Sequence, residues 1–166
     1  STFTEFFLNF MMRSRTVLVA VDGSESARNA FDKYCSLPQS KTDQVVFHHA
    51  INPPPSTAGL PFTGIPDQYS GRTYEDIIGE FKQRAEKLEK EFMQSCKERN
   101  MKCKWTTSVG HPTSRLLAEV RKELPDMLVI GTRGLDPVRR TIIGSVSRFM
   151  LNHVQIPIMV VPPVPK

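Results

Sequence analysis

The pattern of apolar and polar positions along this 166-residue chain predicts strands that alternate with helices. Short runs rich in Val, Ile and Leu are typical of strands, and they occupy Thr16–Val21, Val45–Ile51, Cys103–Val109, Met127–Ile130 and Ile156–Val161. Runs that are apolar at nearly every position indicate strands covered on both faces, as in a parallel sheet. The third run alternates instead, with Cys103, Trp105 and Thr107 on one face. It is therefore expected to be an edge strand that is half open to solvent.

Between these runs, apolar residues recur at the spacing of helices. Ser24 is placed to cap a first helix, and further helical patterns cover residues 74–100, 113–123 and 145–152. Strands and helices thus alternate from residue 16 onwards. This order predicts an α/β fold with a doubly wound, five-stranded parallel sheet, right-handed crossovers and helices on both faces.

The same pattern indicates one domain over residues 15–166, preceded by an N-terminal extension at residues 1–14. The extension holds a short apolar patch that is followed by Arg13 and Arg15. In a secretory signal peptide the basic residues come before the apolar run, and the patch is also too short to span a bilayer. No membrane association is expected.

Residues 53–72 form a loop that is rich in proline and directly follows the second strand. A loop of this length within a compact domain is usually functional or mobile. Two interpretations stay open. The loop folds over a ligand at the carboxyl edge of the sheet, or it is an insertion without a role.

Composition is that of an ordinary globular protein, with 39% hydrophobic and 23% charged residues, which argues against global disorder. The net charge is +5, but the basic residues are spread along the chain, so no nucleic-acid partner is predicted. The cysteines Cys35, Cys96 and Cys103 form no Cys-x-x-Cys pair, so neither a zinc site nor a redox dithiol is expected. We expect buried, reduced thiols and, on that basis, a cytoplasmic location.

The most informative stretch is Gly131-Thr-Arg-Gly134, which begins where the fourth strand ends. Glycine lacks a Cβ atom, so the backbone at Gly131 and Gly134 can bend sharply and approach a phosphate group closely. Arg133 lies inside this motif and is a candidate for neutralising phosphate charge, although exposed arginines are more often simply solvated. After nine further residues comes a third glycine, at the start of the last predicted helix.

That third glycine is Gly144, and the helix after it is expected to present unpaired N–H groups from Ser145, Val146 and Ser147. The positive end of the helix dipole lies behind these groups. The hydroxyls of Ser145 and Ser147 can donate hydrogen bonds to the same anion. The two glycine segments together therefore predict a phosphate site built largely from the main chain.

Residues at the ends of the first two strands are placed to complete a ligand site. Ligands of open parallel sheets bind in the crevice at the carboxyl ends of the strands. If the first and fourth strands are neighbours, Asp22 lies across this crevice from Gly131 and can accept hydrogen bonds from ribose hydroxyls. Val21 and Ala50 are then placed to meet a base. The alternative is that Asp22 only caps the first helix or shapes the Asp-Gly-Ser turn.

Several segments, in this order, resemble the universal stress protein family: VLVAVDGSESARNAF, HAIN, VGHP, DMLVIGTRG and IIGSVS. The similarity covers residues 15–162, and the pattern Gly-x2-Gly-x9-Gly-Ser resembles that of the ATP-binding subclass. The apolar patch of the extension and the many prolines of the loop depart from the family pattern, and neither touches the phosphate motif.

The resemblance implies a sheet of order 3-2-1-4-5 in an adenine nucleotide alpha hydrolase-like fold. It implies ATP as the ligand, with Mg²⁺ as an accompanying ion, and a role as a stress-response sensor or regulator. Asp22 would contact the ribose, and Val21, Ala50 and Ile130 would surround adenine. The phosphates would be held by Gly131, Gly134, Gly144, Ser145, Val146 and Ser147. A homodimer through the strand Ile156–Val161 is also implied.

Two other functions stay open at this point, a slow ATP-hydrolysing enzyme and a dimeric interaction module that binds no nucleotide. The P-loop pattern Gly-x4-Gly-Lys-Ser/Thr is absent and no obvious general base accompanies the phosphate motif, so a conventional enzyme is not expected. The histidines His48, His49, His111 and His153 lack metal-ligand spacing and are predicted to be structural.

Overall fold

The computed structural model describes residues 14–53, 71–132 and 143–163 of the chain. The strands in this part are β1 (Thr16–Val21), β2 (Gln44–Ile51), β3 (Lys102–Val109), β4 (Met127–Gly131) and β5 (Ile158–Val161). The helices are α1 (Glu25–Cys35), α2 (Tyr74–Glu98), α3 (Pro112–Glu123) and α4 (Ser145–His153), with a short 3-10 helix at Pro38–Lys41. The predicted alternation of strands and helices is confirmed.

The five strands form one parallel sheet of order β3-β2-β1-β4-β5, which confirms the predicted order. The central strand is β1, where Val19 lies between Phe47 of β2 and Val129 of β4. Because the carboxyl ends of parallel strands meet at one edge of a sheet, the residues that follow β1, β2 and β4 are brought together there.

Two helices cover each face of the sheet. On one face, Phe31 of α1 and Phe92 of α2 pack on Phe47, with ring centroids 4.9 and 5.1 Å from that of Phe47. On the other face, Leu116 of α3 and Met150 of α4 belong to the second core cluster. The central strands are therefore buried on both sides, which explains why their sequences show little alternation of polar and apolar residues.

The outer strands β3 and β5 form the two edges of the sheet. In β3, exposed Lys102 and Lys104 alternate with partly buried Cys103 and Trp105, as predicted for an edge strand. Strand β5 begins two residues later than the sequence pattern suggested, at Ile158. The shorter length has a physical reason, because the preceding Pro157 has no N–H group to donate to a strand ladder.

At the amino end of the sheet, a buried carboxylate joins three elements. Asp43, which precedes β2 and is 2% exposed, accepts hydrogen bonds from the Tyr34 hydroxyl at 2.7 Å and from the Arg15 guanidinium at 2.7 and 3.0 Å. Burial and the bond to Asp43 raise the pKa of Tyr34 far above its usual value. This network ties α1 to the strand ends opposite the edge where ligands are expected.

A disulfide bond joins Cys96 at the end of α2 to Cys103 in β3, with their Cα atoms 6.4 Å apart. The prediction that all three cysteines are reduced thiols is therefore wrong for this pair, and Cys35 is the free cysteine. The two cysteines lie on either side of a tight turn between adjacent elements, which brings their side chains together. Because these two cysteines form a disulfide, the cysteines no longer support a reducing compartment. A cytoplasmic location stays a prediction.

The predicted extension at residues 1–14, except its last residue, and most of the loop at residues 53–72 lie outside the described residues. The two interpretations of that loop therefore stay predictions. Among the helices that the structure describes, none combines the length and the apolar composition that crossing a membrane requires.

Candidate functional site

A cavity of about 560 Å³ lies at the carboxyl edge of the sheet. Ala20 of β1 and Ala50 of β2 contribute to its lining, and their short side chains leave space on the face that α3 and α4 cover. Leu116 of α3 and Val146 of α4 line it from the helical side. The volume falls within the range of about 300–1,000 Å³ that is usual for pockets holding small organic molecules.

Most of the residues predicted from the sequence lie together in the lining of this cavity. They are Val21, Asp22, Ala50, Ile130, Gly131, Gly144, Ser145, Val146 and Ser147. The remaining two, Arg133 and Gly134, lie outside the described residues. The predicted proximity of the β1, β2 and β4 ends to the start of α4 is thus present in the fold, whereas the ligand contacts of these residues stay predictions.

The first turn of α4 lines the cavity with Ser145, Val146 and Ser147. Its N-cap residue is Gly144, and no side-chain hydrogen bond caps this end within the described part of the chain. The first helical hydrogen bond runs from Arg148 N–H to the Gly144 carbonyl at 2.9 Å. By contrast, Ser24 caps α1, and Thr73 caps α2 with a reciprocal capping box. The start of α4 therefore has the features of an anion site, namely uncapped N–H groups and the positive end of a helix dipole.

The structure gives Gly131 a packing role that the sequence did not suggest. A Cβ atom at this position would lie 2.7 Å from the carbonyl carbon of Ser26 in α1, far inside van der Waals contact. Here β4 and the first turn of α1 approach so closely that only glycine fits. Ser26 reinforces the contact by donating a short hydrogen bond from its hydroxyl to the Thr132 carbonyl.

Ser147 also has a structural partner. Its side chain is buried, and its hydroxyl donates to the Gly131 carbonyl at 3.4 Å, which joins α4 to the end of β4. Because a serine hydroxyl has a single hydrogen to donate, this contact competes with the phosphate contact predicted for that hydroxyl. The exposed Ser145 hydroxyl is better placed for the predicted role.

Asp22 shapes the turn between β1 and α1 and also lines the cavity. Its Oδ1 atom accepts hydrogen bonds from the Ser24 N–H at 3.0 Å and from the Ser24 hydroxyl at 2.5 Å. Ser24 in turn accepts from the Ala27 N–H at 3.2 Å as the cap of α1. The turn-shaping role of Asp22 is therefore present. Since a carboxylate offers about four acceptor sites, this role is compatible with a ligand contact.

A buried polar network that the sequence did not reveal also reaches the cavity. His48 of β2 is 2% exposed and lines the cavity. Its Nδ1 atom lies 3.0 Å from the Thr106 hydroxyl oxygen. The Thr106 hydroxyl already donates its hydrogen to the Phe47 carbonyl, so it accepts from His48, which places the imidazole proton on Nδ1. The Ser108 hydroxyl lies 3.1 Å from Nε2, so both ring nitrogens are paired. Burial lowers the pKa of His48 and so favours the neutral imidazole, in which Nε2 accepts from Ser108.

A carboxylate from α3 lies beside this imidazole. Glu119 is 6% exposed, and its Oε2 atom is 3.8 Å from His48 Nδ1, while Lys122 binds its other oxygen at 3.2 Å. Burial lowers the pKa of His48, and the Glu119 charge acts in the opposite direction. Its burial and its partners agree with the predicted structural role of His48. The sequence could have placed His48 in the cavity, because residues two apart in a strand share a face and Ala50 is a predicted site residue.

The amino end of α3 forms another part of the lining that was missed. His111 is its N-cap residue and contributes no side-chain cap, and Pro112 follows at the first helical position. Asn52 after β2 and Arg148 of α4 line the cavity as well. The described residues contain no cluster of His, Cys, Asp and Glu that could hold a metal ion.

Solved structures of low sequence identity share this fold. A universal stress protein family protein from Arabidopsis thaliana, solved with AMP bound, is 23% identical with a TM-score of 0.63, and the match covers 89% of this chain and 90% of that one. A universal stress protein in complex with cAMP is 19% identical with a TM-score of 0.63, over 89% of this chain and 96% of that one. The architecture is the adenine nucleotide alpha hydrolase-like fold, as expected.

Sequence comparison gives the family. A universal stress protein from Synechocystis sp. is 28% identical over 152 residues, which are 87% of this chain and 96% of that protein. The family model described as "Universal stress protein family" matches residues 13–162. This range covers all the strands and helices described above. The chain belongs to the universal stress protein family.

Proposed function

We propose that the protein binds an adenine nucleotide, ATP, in the cavity at the carboxyl edge of the sheet, and that it acts as a stress-response sensor or regulator. The observation that carries the proposal is that the described site residues lie together in one cavity, which the amino end of α4 borders. Two structural neighbours with AMP or cAMP bound support the adenine part of the proposal.

At the phosphate end, we assign the main-chain N–H groups of Ser145, Val146 and Ser147 and the Ser145 hydroxyl to the phosphate oxygens. No side chain of the described residues caps these N–H groups, so a phosphate would provide the acceptor that Ser24 provides in α1. Gly144, the N-cap residue, keeps side-chain bulk away from this end, and Gly131 is assigned to the phosphates through its main chain. Arg133 and Gly134 keep their predicted roles at the phosphates as part of the proposal.

At the base end, apolar and small side chains favour a flat aromatic ring. Ala50 and Ile130 are assigned to adenine, and Val21 is assigned to it through its main chain, because the Val21 side chain packs in the core cluster that α1 and α2 cover. Asp22 is assigned to the ribose, since its carboxylate can accept hydrogen bonds from the ribose hydroxyls. Neutral His48 suits such a site, because it places no charge beneath an uncharged base. Mg²⁺ usually keeps several water ligands and binds phosphate oxygens, so we expect it to accompany ATP rather than to require a protein metal cluster.

We also propose that the protein is a homodimer through β5. This strand lies at one edge of the sheet, with its neighbour β4 on a single side, and its residues Ile158, Met159 and Val160 are partly exposed. An apolar edge with unpaired backbone groups favours pairing with a second copy of the same strand.

Titration calorimetry of nucleotide-free protein with ATP, AMP, cAMP, adenosine and GTP tests the nucleotide proposal. We expect ATP to bind and GTP to bind at least about tenfold more weakly, since the apolar base end offers few groups that recognise guanine. Absence of binding by every adenine compound at millimolar concentration would contradict the proposal.

A cavity-filling variant locates the binding. Ala50→Leu adds three carbons to the cavity lining and is expected to lower ATP affinity at least about tenfold. Ala118→Leu is the matched control, because Ala118 is exposed on α3 and is absent from the lining. If both variants bind ATP as the parent does, the ligand lies elsewhere.

A further inference from the structure

The turn that carries Asp22 is held from outside the cavity by an arginine. Gly23, between Asp22 and Ser24, has a φ of +79°, a conformation that glycine adopts readily. Its carbonyl accepts a hydrogen bond from Arg28 Nη1 at 3.0 Å. Arg28 lies in the first turn of α1, so the helix itself fixes the peptide between Gly23 and Ser24, whose N–H donates to Asp22 Oδ1.

Arg28 is in turn held by α2. Its Nη2 atom donates to Glu91 Oε2 at 3.0 Å, and its Nε atom makes a second, short hydrogen bond to Glu91 Oε1. This paired geometry fixes the plane of the guanidinium, which a single contact would not do. Leu88, one turn earlier in α2, packs under the same turn, since a Cβ atom at Gly23 would lie 3.3 Å from Leu88 Cδ1.

The charges around Arg28 agree with this arrangement. The pKa of Arg28 is raised, first by its hydrogen bond to Glu91, against the opposing effect of partial burial, and further by the charges of Glu91, Asp22 and Glu25. The guanidinium thus stays charged and interacts electrostatically with the Asp22 carboxylate. Neither Arg28 nor Glu91 is among the described residues that line the cavity.

We propose that Arg28, oriented by Glu91, is a positioning residue for the nucleotide site and fixes the Asp22 carboxylate in the orientation that ribose hydroxyls require. The inference rests on the proposed function, because it assumes that Asp22 contacts the ribose. It adds that a residue pair outside the cavity, on α1 and α2, sets the preference for ribose over deoxyribose.

An exposed ion pair by itself usually contributes little to stability. A test of the Arg28–Glu91 pair therefore needs a second ion pair of the same kind as its control. Asp32 of α1 and Arg99 at the end of α2 provide it, with Asp32 Oδ1 2.7 Å from Arg99 Nη2. This pair joins the same two helices and lies at the end of α1 away from the Asp22 turn. Glu91→Gln and Asp32→Asn are therefore matched changes, since each removes one carboxylate charge from an ion pair between α1 and α2.

The experiment measures Kd for ATP and for 2′-deoxy-ATP by titration calorimetry in native protein and in Arg28→Met, Glu91→Gln and Asp32→Asn variants. In native protein we expect 2′-deoxy-ATP to bind about fivefold more weakly than ATP, the effect of one hydrogen bond. In Arg28→Met the ratio should fall towards one, mainly through weaker ATP binding, and Glu91→Gln should change it in the same direction. Asp32→Asn should keep the native ratio. Thermal unfolding of each variant verifies that it is folded.

The inference is overturned if folded Arg28→Met keeps the native ratio, or if it loses affinity for both nucleotides equally, which a merely structural role would produce. A different result identifies a failure of the proposed function instead. If native protein binds neither nucleotide, or binds both equally, the Asp22–ribose contact is wrong, and the inference fails with it.

Discussion

Replacing Gly131 by alanine tests the packing role of this residue at the end of β4. The added Cβ atom would lie 2.7 Å from the Ser26 carbonyl carbon, whereas favourable carbon–carbon separations are about 3.5–4.0 Å. The shortfall is about 1 Å, and the carbonyl carbon cannot rotate away as a side chain can. The first turn of α1 must therefore move away from β4, which would disturb the hydrogen bond from Ser26 to Thr132.

Forcing one extra carbon into a packed interior typically costs about 1–3 kcal/mol, and the backbone contact places Gly131→Ala near the upper end of that range. Urea unfolding followed by circular dichroism measures the effect. We expect the free energy of unfolding to fall by about 2–3 kcal/mol at an unchanged m value. With m near 2 kcal/mol per molar for a domain of this size, the midpoint should move down by about 1 M urea.

Gly79 in α2 provides the control, because a Cβ atom there would meet nothing within 4 Å. Gly79→Ala is expected to leave the protein as stable as the parent or to stabilise it by up to about 1 kcal/mol, since alanine is the better helix former. The packing argument is refuted if Gly131→Ala unfolds at the parent midpoint, or if both substitutions destabilise equally.

Two further predictions concern proton binding and assembly. Burial lowers the pKa of His48 in the folded protein. As the pH falls through about 6.5, the unfolded chain therefore binds a proton before the folded protein does. The free energy of unfolding should then decrease by up to about 1.4 kcal/mol per pH unit, until the pH has passed the folded-state pKa. Urea unfolding of His48→Gln should lack this component, and identical pH profiles would contradict the assignment. Light scattering should find a native dimer and a weakened Val160→Pro dimer, and a native monomer would contradict the proposed assembly.

Val160 is chosen because of the hydrogen-bond pattern of β5. Leu128 N–H donates to the Pro157 carbonyl, and Thr132 N–H donates to the Val161 carbonyl. Alternation then directs the N–H groups of Met159 and Val161 towards β4 and that of Val160 towards the open edge. Proline at position 160 removes a donor from that edge without removing one from the β4 ladder.

Features set by chain order and local pattern were predictable from the sequence. The apolar runs indicated the strands, Ser24 indicated the cap of α1, and the position of each described site residue at a strand end or helix start placed it in one cavity. These inferences succeed because parallel topology brings strand ends to one edge regardless of detailed packing.

Features that depend on how distant elements approach each other were not predictable in this way. The need for glycine at position 131 arises from the closeness of α1 to β4, and the pairing of both His48 nitrogens depends on hydroxyls of β3. Glu119 beside it is contributed by α3, far along the chain. The disulfide requires the end of α2 and the start of β3 to face each other, which cysteine spacing alone did not establish.

The central claim is that the start of α4 binds the phosphates of an adenine nucleotide, and Ser145→Asp tests it most directly. An acidic residue in the first turn stabilises a helix by about 0.3–1 kcal/mol, so α4 should be preserved, while the new carboxylate repels phosphate. Relative to the uncharged Ser145→Asn control, titration calorimetry should show ATP affinity reduced at least about tenfold and adenosine affinity changed less than about twofold. Equal ATP affinity in the two variants would contradict a phosphate site at this helix end.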